Sequence, residues 1–245
     1  MKKSNIFLIY PLFIGVFLVI TTGCSKEEDI NATNGKTTAV FNPNVSYGTL
    51  TDQDGNIYKT ITIGTQTWMA ENLRTTRYKD GTSIPNVTGN DEWMNLTTGA
   101  YCSFNNTTDI VTIATYGLLY HWYAVNTGKL APTGWHVATD AEWTTLITYL
   151  GGESIAGGKL KETGTIHWNS PNEGAINESG FTALPGGYRT GDGIFYEKGN
   201  YGSWWFSTEY SSSDAFGIDL FYNYSYVSVY VIEKKCGFSV RCIKD

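Results

Sequence analysis

"GWHVATDAEWTTLITYLGG", from Gly134 to Gly152, carries the strongest local signal in the chain. Thr139 and Glu142 have the spacing of a capping box, in which a threonine hydroxyl and a glutamate three residues on satisfy backbone amides at a helix start. Trp143, Leu146, Ile147 and Leu150 follow at i, i+3, i+4 and i+7, which makes one apolar stripe. Gly151 and Gly152 end the helix. "WHV" before the cap reads as a strand, so Trp143 is expected to pack from the first helical turn into a core.

Downstream the period changes to two. "GFTALPGGYR", "GIFYEKG", "GSWWFSTE", "AFGIDLFYN", "SYVSVYVIE" and "CGFSVRCIKD", between Gly180 and Asp245, are short aromatic or β-branched runs punctuated by Gly, Asn and Ser. They predict a hairpin-rich sheet. Upstream, "DQDGN" at Asp52 to Asn56 raises a choice between a calcium loop and a turn. An EF-hand loop needs glycine at position 6 and a bidentate glutamate at position 12. Counted from Asp52, the glycine falls too early and Ile63 stands where the glutamate should be. Asp54-Gly55 is instead a favoured hairpin turn, with "IYKTITIG" as a strand and "TQTWMAENL" as its partner. Arg74 to Thr98 reads as a surface loop, "AYCSF" as a short strand, Thr107 to Thr115 as a polar insertion and "YGLLYHWYAVN" as a short buried helix. One or two helices early and strands late predict an α+β fold.

The chain opens with Lys2 and Lys3, then the apolar run Ile6 to Ile20, then "TTGC". Such a basic start and a short apolar segment form a secretory leader, expected over residues 1–23 and removed on export. Gly23-Cys24 resembles a lipobox, with Thr21 where leucine is usual, so Cys24 is the expected lipidation site. The charged residues Lys26 to Asp29 resemble a surface-export signal of Bacteroidetes-type lipoproteins. Residues 24–48 are polar and poor in large hydrophobes, and are expected to form a flexible acylated tether. Residues 49–245 then form one domain, with enough chain for a sizeable core. The expected location is the outer membrane, lipid-anchored and surface-exposed.

The formal charge is −6 and no basic residues cluster, which excludes nucleic acid as a partner. With 8 Trp, 17 Tyr and 11 Phe beside 27 Gly, the composition suits a loop-rich extracellular domain or a sugar-binding surface. Cys102, Cys236 and Cys242 are an odd number in an exported domain. A Cys102–Cys242 disulfide would close a loop of about 140 residues, for which the chain-entropy model gives about 4–5 kcal/mol. That pairing leaves Cys236 spare; Cys236 with Cys242 is the rival.

"DQDGNIYKTITIGTQTWMAENL", "YGLLYHWYAV", "GWHVATDAEW", "GFTALPGGYR", "WWFSTE" and "GFSVRCIKD" together resemble the Fibrobacter succinogenes major paralogous domain family, over Thr49 to Asp245. The resemblance implies an exported protein or lipoprotein and brings no defined activity with it. More distantly, "HVATDAEW" is similar to the "RLPTEAEW" signature of formylglycine-generating-enzyme-like domains, and "GFSVRCIKD" to their closing strand. That likeness implies a C-type-lectin-like fold, with helices around a twisted antiparallel sheet and the early hairpin beside the last strand.

Enzymatic chemistry lacks support in these residues. The formylglycine-generating cysteine pair does not map onto Cys236 and Cys242, and His121, His136 and His167 have no metal-binding spacing. Glu162 and Glu173 stand in no acid–base motif. No catalytic residue, metal or cofactor is expected. In "HWNSPNEG", Ser170 replaces the first ligand of the calcium-lectin triplet. Calcium-free stacking of sugar on aromatic faces stays open, with Trp204, Trp205, Tyr188 and Trp168 as candidates and Arg189, Glu209 and Asp192 as hydrogen-bonding partners. Trp204 and Trp205 are adjacent on a strand and face opposite ways. Three readings follow: a non-catalytic binder of an extracellular ligand such as glycan; a scaffold or adhesin contacting proteins through the Arg74–Thr98 loop and the Tyr222, Tyr224, Tyr226 face; and a degenerate enzyme.

Overall fold

The computed structural model describes Met1 and residues 31–245. The leader beyond Met1, and Cys24, lie outside the described residues. The domain opens with strands β1 (Gly48–Thr51), β2 (Ile57–Ile63) and β3 (Gln66–Met69). Helix α1 (Asn90–Met94), strand β4 (Tyr101–Cys102), helix α2 (Ile110–Tyr116), strand β5 (Leu119–His121), helix α3 (Trp122–Val125) and strand β6 (Trp135–Val137) come next. Helices α4 (Asp140–Tyr149) and α5 (Glu153–Leu160) lead into strands β7 (Tyr188–Arg189), β8 (Phe195–Tyr196) and β9 (Tyr201–Glu209). Strands β10 (Asp214–Phe221), β11 (Val227–Glu233), β12 (Gly237–Phe238) and β13 (Cys242–Lys244) close the chain.

These strands form three sheets, ordered β1-β2-β3-β13-β6, β11-β10-β9 and β4-β5-β12-β7-β8, and their paired strands run antiparallel. The fold is α+β. The last strand lies between the early hairpin and "WHV": Ile243 pairs with Trp68 on one side and His136 on the other. Helix α4 has both halves of the capping box, with Trp143, Leu146 and Ile147 buried. Trp143 stands 4.9 Å from the Trp68 ring and stacks on Phe206 at 5.7 Å.

Four expectations change. The Arg74–Thr98 segment, expected as a surface loop, contains α1 and buries Ile84, Val87 and Trp93. The insertion contains α2, because the Asp109 carboxylate caps it by accepting from the Val111 and Thr112 amides. "YGLLYHWYAVN" divides into β5 and α3, with Gly117 at a positive φ ahead of the strand. Residues 31–47, expected as tether, lie against the domain. Their polar groups find fixed partners: Thr38 Oγ1 bonds the His167 ring at 2.9 Å, Asn42 Nδ2 donates to the Asn177 carbonyl at 2.9 Å, and the Tyr47 hydroxyl donates to the Gly180 carbonyl at 3.0 Å. Phe41, Val45 and Tyr47 pack on the core. Composition counts only the segment's own apolar area and misses partners supplied by the rest of the chain.

The predicted disulfides are also corrected. Cys102, Cys236 and Cys242 are all free and buried. Cys102 belongs to the small core around Trp93 and Leu119, whereas Cys236 and Cys242 lie in the core around Tyr120 and Phe238. Cys236 and Cys242 do not share a continuous strand either, since β12 and β13 are separate. Burial pushes the Cys102 and Cys236 thiols up to about 12, and Cys242 higher still, so all three act as small core side chains.

Much of the chain is irregular, and its carbonyls need partners outside any ladder. Buried cations supply them. Arg241 donates to the carbonyls of Met69, Phe181 and Thr182 and to Asn72 Oδ1, at 2.7–3.1 Å. Lys161 donates to the carbonyls of Glu173, Phe221 and Tyr224 at 2.8–2.9 Å. Lys234 does the same for Ser211 and Ser212.

Candidate functional site

The aromatic residues selected for sugar stacking are core. Trp204 and Trp205 do face opposite ways, and both faces of β9 are covered. The Trp204 indole donates to Asn72 Oδ1 at 2.9 Å and packs near Phe181, while Trp205 donates to the Tyr120 carbonyl at 2.8 Å and stacks on Phe238 at 4.3 Å. Trp168 is buried and donates to the Ala183 carbonyl. Arg189 is fully buried too: it serves the carbonyls of Val87, Thr88 and Gly193, and its guanidinium lies 4.4 Å from the Trp93 ring. Tyr188 is half-buried against Phe238. Glu209 and Asp192 are exposed, Glu209 bonded to Lys234 and Asp192 to Thr190. These seven residues therefore form no single ligand surface.

Each histidine has a local structural role. His121 is buried against Trp93 and Tyr123, and burial pulls its imidazole down to about 4. His136 bridges Glu142 and Asp245, at 2.8 and 2.7 Å. His167 bonds Glu162 at 2.7 Å as well as Thr38. The Glu173 amide donates to the Tyr222 carbonyl, and no hydrogen bond joins the Glu173 carboxylate to Glu162. Among the described residues, no group of three or more His, Cys, Asp or Glu side chains could hold a metal.

The "DQDGN" loop is a turn, and its structure defines one wall of a cleft. Asp52 is buried and its carboxylate accepts four hydrogen bonds, from the amides of Asp54 and Asn56, from Asn56 Nδ2 and from the Tyr58 hydroxyl, at 2.6–2.9 Å. No lone pair is left for an ion. Asp54, within the turn, accepts from the hydroxyls of Thr75 and Thr76 and lies 3.6 Å from Arg77 Nε. These contacts draw the Arg74–Thr98 loop over the turn.

The resulting cleft has a volume of about 660 Å³. The turn contributes Gln53, Asp54 and Asn56; the loop contributes Arg74, Thr76, Arg77 and Asn86; Tyr101 comes from β4, Ser103 from just after it and Thr107 and Thr108 from the insertion, with Ile113 and Leu118 as apolar wall. Asn31 and Thr33 complete it from the N-terminal segment, with Thr33 Oγ1 donating to Asn56 Oδ1 and accepting from Arg74 Nε, both at 2.9 Å. Most groups here are amides, hydroxyls or guanidinium groups. Arg77 keeps over half of its side chain in solvent, Asn86 and Thr108 are exposed, and Tyr101 is half-buried. Burial, with Asp54 adding to it, raises the Tyr101 phenol, which stays a neutral donor and acceptor. Sequence reading puts these residues in a tether, a turn, a loop, a strand and an insertion, and nothing in it brings the five together; the legible signal is the density of Thr, Asn and Arg in the loop and of Thr in the insertion.

Tyr222, Tyr224 and Tyr226 do not share a strand face. They lie in the turn between β10 and β11, with Tyr222 half-buried and Tyr224 and Tyr226 exposed.

The fold and these surfaces define an α+β domain of three antiparallel sheets whose clefts are built from irregular segments. The chain belongs to the Fibrobacter succinogenes major domain family, whose family model matches residues 61–244. No curated protein and no solved structure matches it.

Proposed function

We propose that this protein is a non-catalytic lipoprotein, anchored in the outer membrane through Cys24 and displayed at the cell surface, which binds an extracellular glycan in the cleft beside the Asp52–Asn56 turn. The observation that carries the reading is the lining. Amide, hydroxyl and guanidinium groups, with the Tyr101 ring among them, are the partners that a hydroxyl-rich ligand uses. Asp54 is engaged by threonine donors and Arg77, which favours binding over acid–base work. A C-type-lectin-like arrangement belongs to the same proposal, supported by the pairing of the last strand with the early hairpin.

The test is a glycan array probed with the full-length protein in non-ionic detergent, beside R77A and N86A. A glycan signal that each variant weakens about tenfold is expected, the loss of one charged or neutral hydrogen bond at a partly desolvated site. No glycan signal, with a protein partner recovered by crosslinking, would replace the reading with a scaffold. Metabolic labelling with an alkynyl palmitate checks the anchor, and an unlabelled chain would remove it.

A further inference from the structure

The turn from Tyr222 to Tyr226 presents aromatic rings to solvent on a backbone held with unusual care. Tyr224 and Tyr226 are 46% and 37% exposed, with ring centroids 4.9 Å apart. Phe221 stands behind both, at 6.1 and 5.3 Å, and Tyr201 packs on Phe221 at 4.9 Å. From below, the buried Lys161 ammonium uses its three protons on the carbonyls of Phe221, Tyr224 and Glu173. The Gly158 amide donates to the Ser225 carbonyl at 3.0 Å, and a side chain at Gly157 would meet the Tyr226 carbonyl at 2.6 Å. Burying an ammonium is costly unless every proton is bonded. Here that cost fixes a loop that holds the Tyr224 and Tyr226 rings toward solvent.

We propose that this turn is a saccharide-stacking site, separate from the cleft, in which Tyr224 and Tyr226 take the apolar face of a neutral hexopyranose in an extracellular polysaccharide. Two observations select that occupant. An aromatic side chain has about 150–250 Å² to bury, so two part-exposed tyrosines offer on the order of 200 Å², while a stable protein interface needs about 800 Å² per partner. The patch has the scale of a sugar ring. Its surroundings are amide and acidic: Asn200 bonds the Tyr222 amide through its carbonyl and Glu197 through its side chain, and Glu173 adjoins Tyr222. Carboxylates accept from sugar hydroxyls and repel uronic acids. Ordered rings also lose little freedom on binding.

The experiment is retention of the full-length protein, in a polyoxyethylene detergent, on immobilised amylose, laminarin, mannan and xyloglucan, with polygalacturonate and alginate as anionic controls. Retention on at least one neutral polymer is expected, weakened tenfold or more in Y224A/Y226A and kept in Y224F/Y226F. Y224S alone, at a half-exposed position, gives the same reading with the least demand on folding. Retention on none of the neutral polymers, retention on the anionic ones alone, or full retention by the double alanine variant would overturn the proposal. Loss in R77A with no change in Y224A/Y226A would assign sugar binding to the cleft alone.

Discussion

Asp52 satisfies four donors, three inside its five-residue turn and the fourth the Tyr58 hydroxyl of β2, which also accepts from the Arg74 amide at 3.0 Å. Burial, reinforced by Asp52, drives the Tyr58 phenol well above its ordinary range, so it remains a donor at any working pH. D52N replaces one acceptor oxygen with an amide NH2, a donor set against donors. It should destabilise the fold by about 3 kcal/mol, read as a lower midpoint in urea unfolding, and an unshifted midpoint would remove the turn's role in holding the cleft wall. The turn itself was legible from Asp54-Gly55 and the missing glutamate. The reach of Asp52 to Tyr58 was not, because it depends on which way a strand residue faces after the chain has turned. Arg189 shows the opposite error. A polar residue in an aromatic sequence looks like a ligand contact, and only the fold reveals that Val87, Thr88 and Gly193 need its protons.

Among the elements, the middle strand β10 carries a buried carboxylate that ties stability to pH. Asp219 faces Ser203 on β9 and Ser228 on β11, and accepts from the Tyr230 hydroxyl at 2.8 Å. Burial raises its carboxyl to about 6, against the opposing pull of that hydroxyl. The unfolded chain releases this proton near pH 4 and the folded chain near pH 6. Between these values the native state holds the extra proton, so stability falls as pH rises, by about 1.4 kcal/mol per unit and about 3 kcal/mol in all. D219N should lose that dependence. The stability difference between wild type and variant, measured by urea unfolding from pH 4 to 7, is expected to shift in favour of the variant with rising pH, and a constant difference would refute the assignment. Helix α4 was readable to its cap, because cap, stripe and glycines all lie within one short stretch. Strand β9 was readable only by alternation: whether the outward tryptophan meets water depends on Phe238 and Tyr120, which arrive from distant parts of the chain.

At the scale of the whole molecule, the α+β class followed from one or two helices and a run of short strands, and the resemblance put the last strand beside the early hairpin, as Ile243 pairing with Trp68 bears out; the rest of the sheet order and the fate of residues 31–47 did not follow. Both depend on long-range partners, as when β12 pairs with β5 on one side and β7 on the other. The cysteine count likewise pointed to a bridge that two separate cores keep apart. Arg241 has a further consequence. Phe181 and Thr182 belong to no strand, yet their carbonyls are fixed by its guanidinium, the Thr182 amide donates to Asn177 Oδ1 at 3.0 Å, and the Ala183 amide to the Leu160 carbonyl at 2.9 Å. Deuterium should therefore enter Thr182 and Ala183 as slowly as it enters β9, and R241M should release those two sites first. Slow labelling there would mean that this coil-rich shell opens only when everything opens.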